Sequence, residues 1–310
     1  MTIRADAHSS SPLSSPHRGA AWCAAPRRPP AVRRPSGRLE SDIAVASDRR
    51  NGRARARMRL SQNFLTDPAV ARRVVRVSGV GPADLVVEVG AGEGMLTRPL
   101  AATCGRLVGY EIDPRFAARL AARFRDRGDV RIVGGDFLAA TPPREPFAVV
   151  GNIPYAITAG IVDWCLRAPS LTSATLLTQL EYARKRTGGF GRWSRLTVRT
   201  WPGVEWTMAG RVPRDRFHPV PRTDSAILRL RRRRVPLLPA GSLAAYRRLV
   251  DLGFTGVGGS LHASLRREYR TDRLGVAFRS AGLPREAVVA HVRPDAWVTL
   301  FAVLHGIDRT

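Results

Sequence analysis

The sequence predicts an α/β fold: a mostly parallel sheet with helices on both faces, followed by a small all-helical domain. Three observations predict it. From Leu60 onward short apolar runs alternate with helical stretches, the pattern of a sheet whose crossovers are helices. A glycine-rich turn, Glu88-Val89-Gly90-Ala91-Gly92-Glu93-Gly94, directly follows the first clear run. Residues 236–310 instead show helical periods, broken at Gly253, Gly258-Gly259, Gly282-Leu283-Pro284 and Pro294.

The elements follow in order. Leu85–Val89 is an apolar strand, and a helix starts after the glycine turn at about Met95. Arg106–Ile112 is the next strand. Pro114–Arg125 reads as a helix opening on proline, whose fixed φ suits a first helical turn. Strand, loop and helix recur through Val130–Gly134, Phe147–Gly151, Ile157–Arg167 and Ala174–Gln179. Ala226–Leu230 is a late strand, expected at the antiparallel edge that many such sheets carry. Residues 1–58 are rich in Ser, Pro, Ala and Arg without either period. Such a segment buries too little apolar surface to offset its ordering entropy, so a disordered arm is expected. The chain thus divides into an arm (1–58), a larger α/β domain (59–234) and a small helical domain (235–310).

Charge bounds the partners. The chain carries 51 basic and 25 acidic residues among 310, a formal net charge of +26. A protein this basic meets polyanions readily, because neutralising phosphates releases counterions. Lys185 is the one lysine; the rest are arginines. That bias reflects either a GC-rich genome or the guanidinium's two-pronged fit to phosphates and base edges. Through Arg59 the arm holds 13 Arg against 4 acidic residues. It reads as an inert tail, as the product of a misplaced start codon, or as a non-specific RNA tether. Cys23, Cys104 and Cys165 are odd in number and contain no CxxC pair. This excludes a disulfide framework or zinc site and fits a reducing cytoplasm. No apolar run is long enough to span a bilayer, and no signal-peptide apolar region is present.

The glycine turn lies at the carboxyl end of a strand, where doubly wound sheets bind ligands. Gly90 and Gly92 remove side chains, so a ligand can approach the backbone. A dinucleotide fold wants G-x-G-x-x-G; here the third glycine comes one residue early and Met95 takes its place. Glu111 ends the second strand, where a carboxylate accepts ribose hydroxyls. Asp136 follows the third, placed to accept from an adenine amino group. Each acid alone also reads as a helix cap or loop residue. Together they match an adenosine without phosphate, as in S-adenosylmethionine.

Gly151-Asn152-Ile153-Pro154-Tyr155 follows the fourth strand on the same sheet edge. Asn-x-Pro is also a common turn. Chemically, an adenine N6 amine is a poor nucleophile because its lone pair is delocalised into the ring. Acceptors on its two hydrogens localise that pair. The Asn152 side-chain oxygen supplies one; a main-chain carbonyl at Ile153 or Pro154 supplies the other. Tyr155 stacks on the base, as aromatics do for extruded bases.

On these motifs, residues 59–234 resemble the ribosomal RNA adenine N6-methyltransferases. The shared blocks occur in order: Ser61-Gln62-Asn63-Phe64-Leu65, then EVGAGEG, YEID, GDF and GNIPY, then Gln179–Ala183 and Phe217–Ser225. Ile153, the stretch Arg184–Gly189 and Arg192-Trp193-Ser194 make the chain look most like the erythromycin-resistance (Erm) type. The alternative within the family is a small-subunit dimethyladenosine transferase, which usually carries Leu at position 153; outside it, a non-catalytic RNA-binding assembly factor.

The resemblance implies a Rossmann-like, class I S-adenosylmethionine-dependent sheet with a small C-terminal α-helical, RNA-binding domain. It implies that Asn63 and Leu65 close over the cofactor, with Gly90, Gly92, Glu111, Asp136 and Asn152 contacting it or the target amine. Phe217 becomes a second aromatic wall of the base pocket, with a simple core position as the alternative. The implied substrate is an adenine of 23S rRNA whose methylation blocks macrolide, lincosamide and streptogramin B antibiotics. The implied mechanism is in-line displacement without metal or covalent intermediate, with nitrogen and methyl held about 3–3.5 Å apart. His218, beside its prolines, reads as structural rather than as a base. Arg184, Lys185, Arg186, Arg192, Arg214 and Arg216 are the expected RNA contacts, and Arg231–Arg234 is the densest basic run. A monomer is expected.

Overall fold

The computed structural model describes residues 63–307. The predicted arm, together with Ser61 and Gln62, lies outside the described residues. Seven strands form one sheet: β2 (Leu85–Val89), β3 (Arg106–Glu111), β4 (Val130–Gly134), β5 (Phe147–Asn152), β6 (Leu171–Gln179), β7 (Val204–Val212) and β9 (Ser225–Arg232). Their order is β4-β3-β2-β5-β6-β9-β7. The first five are parallel. Two short strands, β1 (Phe64–Leu65) and β8 (Phe217–His218), pair antiparallel as a separate ribbon. The order reverses between β2 and β5, so the crevice beyond their carboxyl ends is the expected ligand position.

Alternation along each strand builds two apolar layers. Val87, Val149, Leu176 and Leu228 face one core with Ile161 and Trp164. Val86, Val150, Leu177 and Ile227 face the other with Val74, Leu100 and Leu107. The covering helices are α1 (Pro68–Ser78), α2 (Thr97–Ala101), α3 (Pro114–Arg123) and α4 (Thr158–Arg167). Asp67 caps α1 by accepting from the amides of Ala69 and Val70, and Asp113 caps α3 through the Arg115 amide. Proline follows each cap, as the sequence signature of a helix start requires.

The structure departs from the expected elements in three places. The helix after the glycine turn is only Thr97–Ala101, two residues later than Met95. β9 is antiparallel as expected, but it is an inner strand with β6 on one side and β7 on the other. The true edge, β7, went unpredicted because a register shift between Met208 and Arg211 breaks its period of two.

The last third of the described chain carries α7 (Leu243–Gly253), α8 (Leu261–Leu265), α9 (Thr271–Ser280) and α10 (Pro294–His305). Tyr246, Trp297, Phe278 and Phe301 form its core. Val198 from α6 (Arg195–Thr200) belongs to that core, and its carbonyl accepts from the Tyr246 hydroxyl at 2.9 Å. The helical core therefore recruits residues from before position 235. No described helix is long and apolar enough to cross a membrane.

Candidate active site

The crevice is organised by one carboxylate. Glu111, 2 % exposed at the end of β3, accepts the Gly92 amide at 2.7 Å and the Asp113 amide at 2.9 Å. It thereby ties the glycine turn to the adjoining strand end. The amides of Gly90 and Ala91 both donate to the Tyr110 carbonyl. Gly90 and Gly92 take φ of 72° and 53°, a region that only glycine visits cheaply. A Cβ at Gly92 would stand 3.3 Å from the Phe64 ring. The turn is thus bare on the side that faces Phe64.

Two small adjoining hollows, about 40 and 30 Å³, lie here. Asn63, Phe64, Gly90, Glu111 and Asn152–Tyr155 line the first. Leu65, Glu88 and Met95 help line the second. Phe64 lines both hollows, and Asn63 lines the first.

Asn152 closes β5. Its Nδ2 donates to the Asn63 carbonyl at 2.8 Å. A flipped amide would set oxygen against oxygen, so this bond fixes the side-chain orientation and commits the nitrogen. The amide oxygen remains as an acceptor. Of the two loop carbonyls, that of Pro154 already accepts from the Ile157 amide at 3.2 Å and the Thr158 hydroxyl at 3.4 Å. The Ile153 carbonyl is therefore the better placed second acceptor. The Tyr155 hydroxyl bonds Ser225 Oγ at 2.7 Å. Burial raises its pKa, the Ser225 bond opposes this, and the charges of Glu181 and Asp224 add to it. This tether sets the ring's tilt. Tyr155→Phe is accordingly expected to cost methyl transfer only a few-fold, whereas Tyr155→Ala costs about tenfold or more from lost stacking. Equal losses in steady-state assays would show that the ring itself does nothing.

Glu88 is a site residue that sequence reasoning missed. It is fully buried on β2, and neither oxygen has a hydrogen-bond partner among the described residues. Desolvation pushes its pKa up to about 8; the nearby Thr97 hydroxyl opposes this, without a hydrogen bond of normal geometry, and the Glu111 charge adds to it. The signal was visible as an acid inside an otherwise apolar strand, Leu-Val-Val-Glu-Val.

Other expected residues are placed differently. Phe217 does not line either hollow. It is 2 % exposed, paired with Leu65 across the β1–β8 ribbon and packed in the core. The second aromatic wall expected at Phe217 is not formed at these hollows: its ring is buried in the core, whereas Phe64 and Tyr155 line the first hollow, Phe64 held against Phe116 with ring centroids 5.4 Å apart. Leu65 is likewise buried but lines the second hollow. Asp136 is exposed at the same rim and caps a short helical turn through the Leu138 amide at 2.9 Å.

The basic residues also separate. Arg184, Lys185, Arg192 and Arg214 are exposed. Arg186 is half-buried over the Tyr182 ring and donates to Ser194 Oγ at 2.9 Å. Arg216 is paired with Asp67 at 3.0 Å, holding β8 to the cap of α1. Internal contacts therefore occupy these last two.

Comparison with known proteins fits this geometry. The family model for ribosomal RNA adenine dimethylase matches residues 53–305. The chain is 61 % identical over 255 residues to an rRNA adenine N-6-methyltransferase of Streptomyces fradiae, covering 82 % of this chain and 80 % of the relative. It is 36 % identical over 256 residues to a mycinamicin-resistance protein, MyrB, of Micromonospora griseorubida, covering 81 % and 80 %. The crystal structure of the 23S rRNA methyltransferase ErmE superposes with a TM-score of 0.76 at 51 % identity, covering 78 % of this chain and 99 % of that one. With its switch-point crevice, its Gly90–Glu111 cradle and its Asn152–Tyr155 loop, this chain belongs to the ribosomal RNA adenine dimethylase family of methyltransferases.

Proposed function

We propose that the chain is an Erm-type enzyme that methylates N6 of an adenine in 23S rRNA, with S-adenosylmethionine as donor, and thereby confers macrolide, lincosamide and streptogramin B resistance. The observation that carries the chemistry is at Asn152: its nitrogen is committed to the Asn63 carbonyl, which leaves the amide oxygen as an acceptor, and the residue lines both hollows beside Gly90 and Gly92. The cofactor, when bound, supplies a methyl group on a sulfonium, an electrophile with a neutral leaving group.

The residues present fit that cofactor. Gly90 and Gly92 admit it close to the backbone, and the buried Glu111 carboxylate retains lone pairs for ribose hydroxyls. The orphaned oxygens of Glu88 suit an ammonium group. The exposed carboxylate of Asp136 has a second oxygen for an adenine amine. Asn152 and the Ile153 carbonyl accept the two hydrogens of the target amine and localise its lone pair. Tyr155 holds the base face. The polar work of the protein is placement, which is where most of such a rate gain arises. The surplus amine proton leaves to water. Arg184, Lys185, Arg192 and Arg214 contact the RNA backbone, and the helical domain extends that grip.

The test supplies labelled cofactor with either protein-free large-subunit RNA or assembled small subunits, and maps the modified base. Label at one adenine of the protein-free large-subunit RNA is the expected result. Label confined to small subunits would move the chain to ribosome maturation, and label in neither would leave a binding role.

A further inference from the structure

A second basic feature lies at the opposite end of the sheet. β9 runs antiparallel to β6, so its last residues return to the edge where the parallel strands begin. There Arg231 stands in register with Ser173 of β6 and Glu205 of β7. Beyond Arg232 the strand ends and its alternation lapses, so Arg229 and all of Arg231–Arg234 line one cleft of about 740 Å³. The starts of β5 and β6 and the end of α1 complete it. None of the residues lining the catalytic hollows takes part.

The cleft is short of negative charge. Five arginines face two carboxylates, Asp84 and Glu205. Glu205 pairs with Arg231 at 2.6 Å, and Asp84 accepts the Gly81 amide. Arg229, Arg232, Arg233 and Arg234 form no ion pair among the described residues.

Structural duty explains part of this set. Arg229 donates to the Ser78 carbonyl at the end of α1 at 3.1 Å. Arg232 donates to the carbonyls of Leu166 and Ala168 at the end of α4 at 2.8 and 3.1 Å. Arg233 donates to the Trp201 carbonyl at 3.2 Å and lies over the Trp201 ring. Carbonyls satisfy donors, but they do not cancel charge, and each guanidinium has five donors to place. Arg234 is exposed and makes none of these contacts. Burial and the neighbouring Arg247 charge also hold the Arg232 pKa below its ordinary value. Five like charges are gathered here against only two carboxylates, of which Glu205 is already paired with Arg231.

We infer that this cleft is a second site for RNA backbone phosphates, gripping a part of the substrate remote from the target adenine. The inference rests on the reading of the substrate as RNA. Arg229 to Arg234 span roughly 15 Å of extended chain, room for several phosphates of one strand rather than a single small anion. Guanidinium forks bind phosphate oxygens in pairs. The cleft lies about the length of β2, roughly 15 Å, from the catalytic crevice, so one folded RNA can reach both ends of the sheet.

The test measures binding of protein-free large-subunit RNA across a salt series for Arg234→Gln, for the double variant R233Q/R234Q and for a charge-matched control outside both proposed RNA surfaces, Arg123→Gln, exposed at the end of α3. Arg234 is exposed and makes no hydrogen bond or ion pair among the described residues, so its variant keeps the fold even where the double variant does not. Arg234→Gln is expected to weaken RNA binding about three- to tenfold at low salt and to lower the slope of log affinity against log salt by about one. Cofactor affinity and kcat at saturating RNA stay unchanged. Affinity and slope equal to those of Arg123→Gln would overturn the inference. So would stabilisation of the wild type by inorganic phosphate with no change in the variants' RNA affinity, which marks a small-anion site. Arg234-dependent binding without methylation would instead sink the proposed function and leave this site standing.

Discussion

Asn152→Ala lowers methyl transfer by about two to three orders of magnitude, the usual loss when one preorganised polar group at a reacting centre is removed. The acceptor that polarises the target amine disappears, and only the Ile153 carbonyl remains. Cofactor affinity falls far less. The lost bond to the Asn63 carbonyl, 2.8 Å long, is a neutral one worth about 1 kcal/mol, which is about fivefold in binding. Single-turnover transfer and equilibrium cofactor binding separate the two effects. Asn152→Asp keeps an acceptor but sets a carboxylate against the Asn63 carbonyl, so it is expected to recover part of the rate while loosening the Asn63–Phe64 segment. Full transfer by the alanine variant would remove the amine-polarising role.

The second large effect is a pH dependence centred on Glu88. In the unfolded chain this carboxyl titrates near its ordinary value of 4.5, and in the fold burial pushes it up to about 8. Between those values the native state holds a proton that the unfolded state has released. Stability must then fall as pH rises. The full stability is present below about 4.5 and has been lost once the pH passes about 8. The size is on the order of a few kcal/mol at 1.36 kcal/mol per pKa unit. Glu88→Gln has no proton to lose, so its stability relative to wild type climbs across the same window. Urea unfolding of both proteins from pH 5 to 9, without cofactor, reads the difference. Parallel profiles would mean that water reaches the carboxylate. Saturating cofactor should flatten the wild-type profile, because an ammonium beside the carboxylate favours its charged form.

Much of this was legible in the chain because its physical causes are local. Val86, Val87 and their counterparts on β5 and β6 advertise a sheet buried on both faces. Asp67-Pro68 and Asp113-Pro114 announce two helix starts. Gly90, Glu111 and Asn152 fall at successive strand ends, and a parallel sheet has no choice but to bring such ends to one rim. β7 hid because an irregular register erases the alternation that marks a strand.

What the sequence by itself determined is therefore the order of elements, the parallel core and the line of polar residues along one rim. These follow from apolar period and backbone preference, which neighbours in the chain control. Only the tertiary structure decided that Phe217 is buried while Phe64 reaches the hollow, that Asn152 turns its nitrogen toward Asn63, and that Arg216 is taken by Asp67. It also decided that Glu88 is buried at the second hollow without a hydrogen-bond partner among the described residues, and that Arg229–Arg234 gather at the far edge. Each of these depends on which side chain fills a given space first, and that is settled by contacts between segments up to about 150 residues apart, which no local pattern encodes.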